Sequence, residues 1–301
     1  MLRYCRFKAL GFGDSALALD CIEIHAEKIK TISKERIRDE IIKALGYSKP
    51  SEFFRTMEKT GLLKYIFPDL ARGVGCEQNV HHAEPVFDHL LRCLDSSVDL
   101  TDNVLLRLAT LCHDIAKPHT KKIINGDATF YKHEVVGASI IYNWMKDLKF
   151  TNKEIEYVVK LVRHHQWRFE DDTKDKTIRK WVQEVGKDVW RDLITLRCAD
   201  RLGNLKKEGR PMITNKMREL MNKVEEMIAS GVPIFKEDLA INGDDIKALG
   251  LPPSKIYKEI FSNILGIVVN DPSKNSKEWL SEFVVKNYIN KETKNDSRGK
   301  D

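Results

Sequence analysis

Residues 111–118 read Leu111-Cys112-His113-Asp114-Ile115-Ala116-Lys117-Pro118, and Leu105, Leu106, Leu108 and Ala109 precede them. The apolar spacing predicts a helix that ends on a histidine followed directly by an aspartate. Eight of the nine histidines fall between residues 81 and 165, so the pair stands inside a histidine-rich belt. The belt supplies His89, His113, Asp114, His133 and the His164/His165 pair, and Asp200 follows within Arg197-Cys198-Ala199-Asp200-Arg201. Val86, Phe87, Leu90 and Leu91 surround His89; Ile155, Val158, Val159, Leu161 and Val162 precede His164; Leu193, Ile194 and Leu196 precede Asp200. Burying imidazoles and carboxylates on such faces is unfavourable without a metal or a charged partner. Three or four helices directing polar ends at one another are therefore expected, as a catalytic metal site. Imidazole and carboxylate donors with no convergent thiolate suit Mg, Mn, Fe, Co, Ni or Zn of hydrolytic type, not structural zinc. The competing readings are a chance helix-end pair for His113-Asp114, a salt bridge from Asp200 to Arg197 or Arg201, and ordinary exposed or hydrogen-bonded histidines for the rest. His81 and His82 read as loop or substrate residues, and His25 and His119 as uninvolved.

The chain has 301 residues, enough for one or two domains with a sizeable core. Apolar residues make up 42% and charged residues 32%, which fits a globular protein, and no apolar run approaches the roughly twenty residues of a membrane span. The first residues lack a signal-peptide pattern. Cysteines 5, 21, 76, 93, 112 and 198 show no Cys-x-x-Cys spacing, so they read as reduced, mostly buried, and compatible with the cytoplasm. Cys112 reads as packing, not as a nucleophile. A net charge of +6 is compatible with steering a phosphate-rich substrate and proves no nucleic-acid partner.

Along the chain, two short helices are expected around the turn at Gly11-Phe12-Gly13-Asp14, then a helix from Lys34 to Leu45 capped by Ser33. A helix from Pro50-Ser51, a turn at Gly61 and a short helix near Pro68 follow. Asn125-Gly126 marks a loop or small hairpin that carries Tyr131 and His133 towards the site. Gly137 and Ala138 open another helix, and two more, divided near Gly186, carry Arg197, Asp200, Arg201 and Asn204. The charged break Lys206-Lys207-Glu208-Gly209-Arg210-Pro211 reads as a boundary before a helical tail, and residues 290–301 as a disordered end. The expected architecture is all-α, with a neck over 1–78, a metal-binding domain over 79–205 and a tail over 206–301.

A histidine, then His-Asp, then a distant aspartate resembles the HD superfamily of metal-dependent phosphohydrolases. His133 and His164/His165 look like the further histidines of members that hold a second metal. Gly75-Cys76-Glu77-Gln78-Asn79 with His82, Val86-Phe87-Asp88-His89, His113-Asp114-Ile115-Ala116-Lys117-Pro118 with Thr120, Phe130-Tyr131-Lys132-His133-Glu134 and Leu148-Lys149-Phe150 narrow the resemblance to the body of bacterial tRNA nucleotidyltransferases, the CCA-adding enzymes. Met1 to Phe12 and Ser33 to Glu40 look like the neck of that family, and the segment around Gly243 like its tail. The nucleotide-adding head needs a Gly-Ser or Gly-Gly turn followed by Asp-x-Asp. The chain holds only the adjacent pairs Asp171-Asp172 and Asp244-Asp245, so it is expected to begin after the head and not to add nucleotides alone.

The resemblance implies one or two divalent ions, with His89, His113, Asp114 and Asp200 holding one and Asp114 bridging to a second on His133 and His164 or His165. Asp114, Lys117 and Arg201 are then the expected catalytic groups, and Lys117, Thr120, Tyr131, Trp167 and Arg197 the expected substrate contacts, against core or lid packing as the stronger reading of Trp167 and a surface or salt-bridge lysine as the other reading of Lys117. The implied reaction is phosphoester hydrolysis on a nucleotide or a tRNA or other RNA 3' end, as a 2',3'-cyclic phosphodiesterase or 2'-phosphatase. Two alternatives stand beside it: hydrolysis of a dNTP or signalling nucleotide, and a tRNA-binding subunit working with a separate nucleotidyltransferase head. A homodimer through the neck is a further possible partnership; none involves a membrane.

Overall fold

A 3.6-residue apolar period recurs from end to end, and the computed structural model is accordingly all-α apart from one small hairpin; it describes residues 1–170 and 172–290. In order these are α1 (Leu2–Ala9), α2 (Ala16–Ile24), α3 (Lys34–Leu45), α4 (Ser51–Lys59), α5 (Leu63–Ile66), α6 (Pro68–Ala71), α7 (Val86–Ser96), α8 (Val104–Cys112) and α9 (Lys117–Thr120). The strands β1 (Lys122–Ile124) and β2 (Asp127–Thr129) pair antiparallel. Then come α10 (His133–Asp147), α11 (Asn152–His164), α12 (Asp175–Val185), α13 (Val189–Gly203), α14 (Asn215–Ala229), α15 (Gly243–Ala248), α16 (Ile256–Asn270) and α17 (Lys277–Val284). No helix among the described residues is long and apolar enough to cross a membrane.

The chain divides into two compact units, one of residues 1–168 and 188–213, the other of residues 169–187 and the described residues from 214 onward. Residues 1–78 and 79–205, separated in the sequence reading, share the first unit except for the stretch around α12. The reason is a continuous core: α1 packs on α3 and α4, and α4 packs on α7. Phe53, Phe54, Met57 and Phe67 are fully buried there. Phe67 stacks on Trp144 at 3.9 Å between ring centroids, and the Trp144 indole N–H donates to the Ile66 carbonyl at 2.9 Å. That pair ties α5 and α6 to α10.

Local chemistry places the ends of the helices that matter. The Asn103 side chain caps α8 by accepting from the Leu105 and Leu106 amides. Buried Arg107 donates to the carbonyls of Leu45, Val98 and Thr101, satisfying the end of α3 and the loop before α8. Thr151 and Glu154 form a reciprocal capping box on α11. The Asn125-Gly126 turn has φ of 52° and 82°, the left-handed pair a tight hairpin requires. Ser33 precedes α3, as its sequence suggests, but its side chain makes no capping bond. α10 starts at His133, four residues before Gly137, because left-handed Lys132 (φ 63°) breaks the chain directly ahead of it.

The second unit has its own core, with Ile246, Ile260, Ile264, Val268, Leu280 and Val284 fully buried, and α12 packs there on α14 and α16. Asn242 and Asp245 cap α15 reciprocally. The charged end read as disordered lies, beyond Asn290, outside the described residues.

At the crossing of α7 and α13 the two helices press together at Gly203 and Cys93. A Cβ on Gly203 would fall 2.5 Å from Cys93 Sγ, 2.6 Å from its nitrogen and 2.7 Å from its Cα. Backbone cannot yield as a flexible side chain does, so Gly203→Ala is expected to force the helices apart and cost about 1–3 kcal/mol. Urea unfolding measures this, and an unchanged midpoint would show that the crossing has slack.

Candidate metal centre

Five helices bring their polar residues to one buried point. α7 contributes His89 from its apolar face, the end of α8 His113 and Asp114, the start of α10 His133, the end of α11 His165, and α13 Asp200. All three histidines at helix ends use the same device. The Nδ1 atoms of His113, His133 and His165 each lie 2.7 Å from a carbonyl three residues back, on Thr110, Phe130 and Val162. A carbonyl only accepts, so each Nδ1 carries a proton and donates. In the neutral ring the Nε2 lone pair then faces the cluster.

Asp114 sits between two groups of these lone pairs. Its Oδ1 is 3.0 Å from His133 Nε2 and 3.5 Å from His165 Nε2, and those two nitrogens are 3.2 Å apart. Its Oδ2 is 3.3 Å from His113 Nε2 and 3.8 Å from His89 Nε2. Asp200 Oδ1 closes the second group at 3.2 Å from His89 and 3.7 Å from His113. His113 Nε2 is fully buried and makes no well-formed hydrogen bond. Converging lone pairs and an orphaned nitrogen are what a cation would satisfy, and the donors fall into sets within 4.8 Å of one another: Asp114, His133 and His165; His89, Cys93, His113 and Asp200; and, linking the two, His82, His89 and Asp114. These clusters suit one or more divalent ions.

The electrostatics follow from this packing. Burial opposes charge on His113, but Asp114 and Asp200 outweigh it and push its pKa up to about 10. Burial likewise pushes Asp114 up, yet Lys117 and the neighbouring imidazoles hold it well below the usual carboxylate range. Asp200 is also held low, burial being outweighed by the adjacent His113 and His89 rings. Burial lowers His165 and takes His82, which also faces Lys117 and His89, down to about 3. Lys117 Nζ donates at 2.6 Å to both Asp114 Oδ2 and Gln78 Oε1, with its stem buried.

The other residues singled out in the sequence lie differently. His164 turns into a groove with Tyr142, Val159 and Arg163, because successive residues on a helix point about 100° apart and only one of the pair can face Asp114. Thr120 Oγ1 donates to the Ala116 carbonyl at 3.1 Å. Trp167 is buried under the Arg197 guanidinium at 5.1 Å, and Arg197 reaches the His165 carbonyl at 3.5 Å, so both pack behind His165. Arg201 donates to the Pro211 carbonyl at 3.0 Å. Tyr131 is 74% exposed. His119 pairs with Asp69 at 2.8 Å.

Three neighbours of the centre were not read from the sequence as part of it. Gln78, which anchors Lys117, sits in a loop whose reach only the fold determines. His82 lies edge-on to His89 at 4.8 Å between centroids, and its Nδ1 is 3.3 Å from the Asn79 side-chain oxygen. Cys93 overturns the expectation that no thiol converges: its Sγ is 3.5 Å from His89 Nε2. Its position four residues after His89, one helical turn along the same face, was the available signal.

Comparison with known proteins gives the geometry a context. Residues 86–205 match the model of the HD domain, and residues 19–73 match one described as "Probable RNA and SrmB- binding site of polymerase A". The chain carries an HD domain and is related to the CCA-adding enzymes. It is 29% identical over 258 residues to the CC-adding tRNA nucleotidyltransferase of Thermus thermophilus, covering 82% of this chain and 57% of that protein. It is 28% identical to the A-adding tRNA nucleotidyltransferase of Deinococcus radiodurans, covering 79% and 55%. A 129-residue stretch is 36% identical to the Multifunctional CCA protein of Methylococcus capsulatus, 40% of this chain and 30% of that one. The chain thus spans little more than half the length of its first two relatives. In the HD domain the clustered His and Asp residues form a site of the metal-dependent phosphohydrolase kind.

Metal uptake should displace the His113 proton. With that pKa near 10, the metal-free ring is charged at neutral pH, so calorimetric titration with Mn in buffers of different ionisation enthalpy is expected to show release of at least one proton. The raised value also adds stability to the metal-free protein, fully present below about 6.5 and lost as pH rises towards 10. Chelated protein should therefore weaken across that window more than loaded protein; parallel melting profiles would count against a charged His113.

Proposed function

We propose that the HD domain is a phosphoester hydrolase acting on a 2',3'-cyclic phosphate or 2'-phosphate of a nucleotide or RNA 3' end. The carrying observation is Asp114, whose two oxygens face two separate sets of histidine Nε2 atoms. In this reading His89, His113, Asp114 and Asp200 hold one divalent ion and Asp114, His133 and His165 a second. A bound divalent ion supplies Lewis-acid activation of water and charge neutralisation at a phosphoryl group. The protein does the rest by position. Nδ1–H bonds to backbone keep three imidazoles aimed inward, and burial excludes competing solvent. Lys117, steadied by Gln78, stands beside Asp114 and supplies positive charge for a non-bridging phosphate oxygen. Lys207, 3.8 Å from Asp200 Oδ2, is a second cation at the rim. Exposed Tyr131 is available to a base, a role that buried Trp167 does not suit. Arg201 and Thr120, bonded to backbone carbonyls, have no assigned step.

The RNA end as substrate is supported by the match of residues 19–73 to an RNA-binding region and by relatives named as tRNA nucleotidyltransferases. The six free cysteines suit a reducing compartment such as the cytoplasm. A second reading, a tRNA-binding body that works with a nucleotidyltransferase head, draws support from apolar side chains of α1, α2 and their turn: Phe7, Leu10, Phe12, Leu17 and Ile24 are all exposed.

Phosphate or monophosphate release from a panel led by 2',3'-cAMP, with Mg, Mn, Ni, Co and Zn in turn, separates the readings. Metal-dependent ring opening is expected in the wild type, reduced to background in Asp114→Ala and about 100-fold in Lys117→Met. Turnover of dNTPs or signalling nucleotides alone would move the substrate elsewhere within the HD chemistry. No turnover on any phosphoester, with tRNA bound equally by wild type and Asp114→Ala, would leave the binding subunit.

A further inference from the structure

We infer that Cys93 is a metal ligand, adding sulfur to the His89, His113 and Asp200 side of the centre and turning that position towards Zn, Co or Ni and away from Mg and Mn. The inference rests on the metal-centre reading above and deepens it.

The donors are already in place. Cys93 Sγ is 3.5 Å from His89 Nε2, and the donor atoms of His89, Cys93, His113 and Asp200 all lie within 4.8 Å of one another. Ligands bound at about 2.0–2.3 Å stand at most about 4.6 Å apart, so small side-chain shifts bring the four onto one ion. A second, independent observation points to the same spot: His113 Nε2, buried and without a hydrogen-bond partner, is in this donor set.

The thiol's surroundings also differ from those of a cysteine used for packing. Its neighbours are polar: both ring nitrogens of His89, at 3.5 and 3.7 Å, and the Asp200 carbonyl at 3.9 Å, all within reach of weak sulfur hydrogen bonds. Cys112, next to His113 in sequence and equally buried, belongs to no donor set. Gly203 holds Cys93 in register, since only a residue without a Cβ lets α13 press against this backbone and sulfur.

When the metal–sulfur bond forms, the S–H proton leaves to solvent and sulfur supplies the electron pair; nothing is oxidised. A soft donor raises affinity for borderline cations relative to Mg and Mn, which prefer oxygen. Neither the HD ligand order nor the sequence spacing of the histidines contains this residue.

Cobalt(II) titration of the reduced, metal-free full chain tests it by absorbance, independently of catalysis. Wild type is expected to show a near-ultraviolet sulfur-to-cobalt charge-transfer band alongside the visible bands of bound cobalt. Cys93→Ser should keep visible bands and lose the ultraviolet one, and its preference for Zn over Mn should fall by about tenfold or more. Cys21→Ser, at an exposed cysteine outside the centre, should retain the band. Bound cobalt with no such band in wild type overturns the sulfur ligand whatever the variants do, as does a band that survives in Cys93→Ser. Failure of wild type to bind cobalt at all overturns the metal centre itself.

Discussion

A carboxylate buried with both oxygens against imidazole nitrogens is the constraint on which this site depends. In water Asp114 is ordinary; here its charge has no solvent to stabilise it, and its neighbours must supply the compensation. Lys117 provides part of that through Oδ2, and the imidazoles the remainder. Replacing any one partner changes the charge state of the others, so the cluster behaves as a unit. The helices are held accordingly, by capping, by backbone bonds from Nδ1, and by a crossing tight enough to exclude a methyl group.

Those backbone bonds connect fold and chemistry. A helix ending at residue 112 leaves unpaired carbonyls in its last turn, and His113 Nδ1 takes up one of them at Thr110. His165 does the same at Val162 on α11, and His133 at Phe130 ahead of α10. The C-terminal ends of α8 and α11 thereby each satisfy a carbonyl, while all three rings are fixed in tautomer and direction. For His113 and His165, helix termination and donor preorganisation are therefore the same hydrogen bonds.

Much of this was legible from residue order. Apolar periodicity identifies the helices, Asn125-Gly126 the hairpin, and the placement of His89, His113, Asp114 and Asp200 on apolar faces marks a polar focus that a core would otherwise reject. What periodicity lacks is rotation. It does not distinguish His164 from His165, although one turns outward and the other reaches Asp114. Nor does it reveal pairings distant in sequence, such as Trp167 under Arg197 or Gln78 on Lys117, which arise only when loops and helices are assembled. Cys93 was hidden by its type: a cysteine among leucines reads as packing until α13 arrives beside it.

The charge balance links loading of the centre to its surroundings. Without a metal, the negative charges of Asp114 and Asp200 are balanced by Lys117 and protonated His113. A divalent ion that displaces the His113 proton brings a net gain of one positive charge beside Lys117. That surplus is favourable only if something anionic joins the site, whether a thiolate, a hydroxide or a phosphoester oxygen. The same low-dielectric burial that makes an isolated Asp114 costly thus makes the loaded centre attract anions, and it does so before any particular substrate contact is considered.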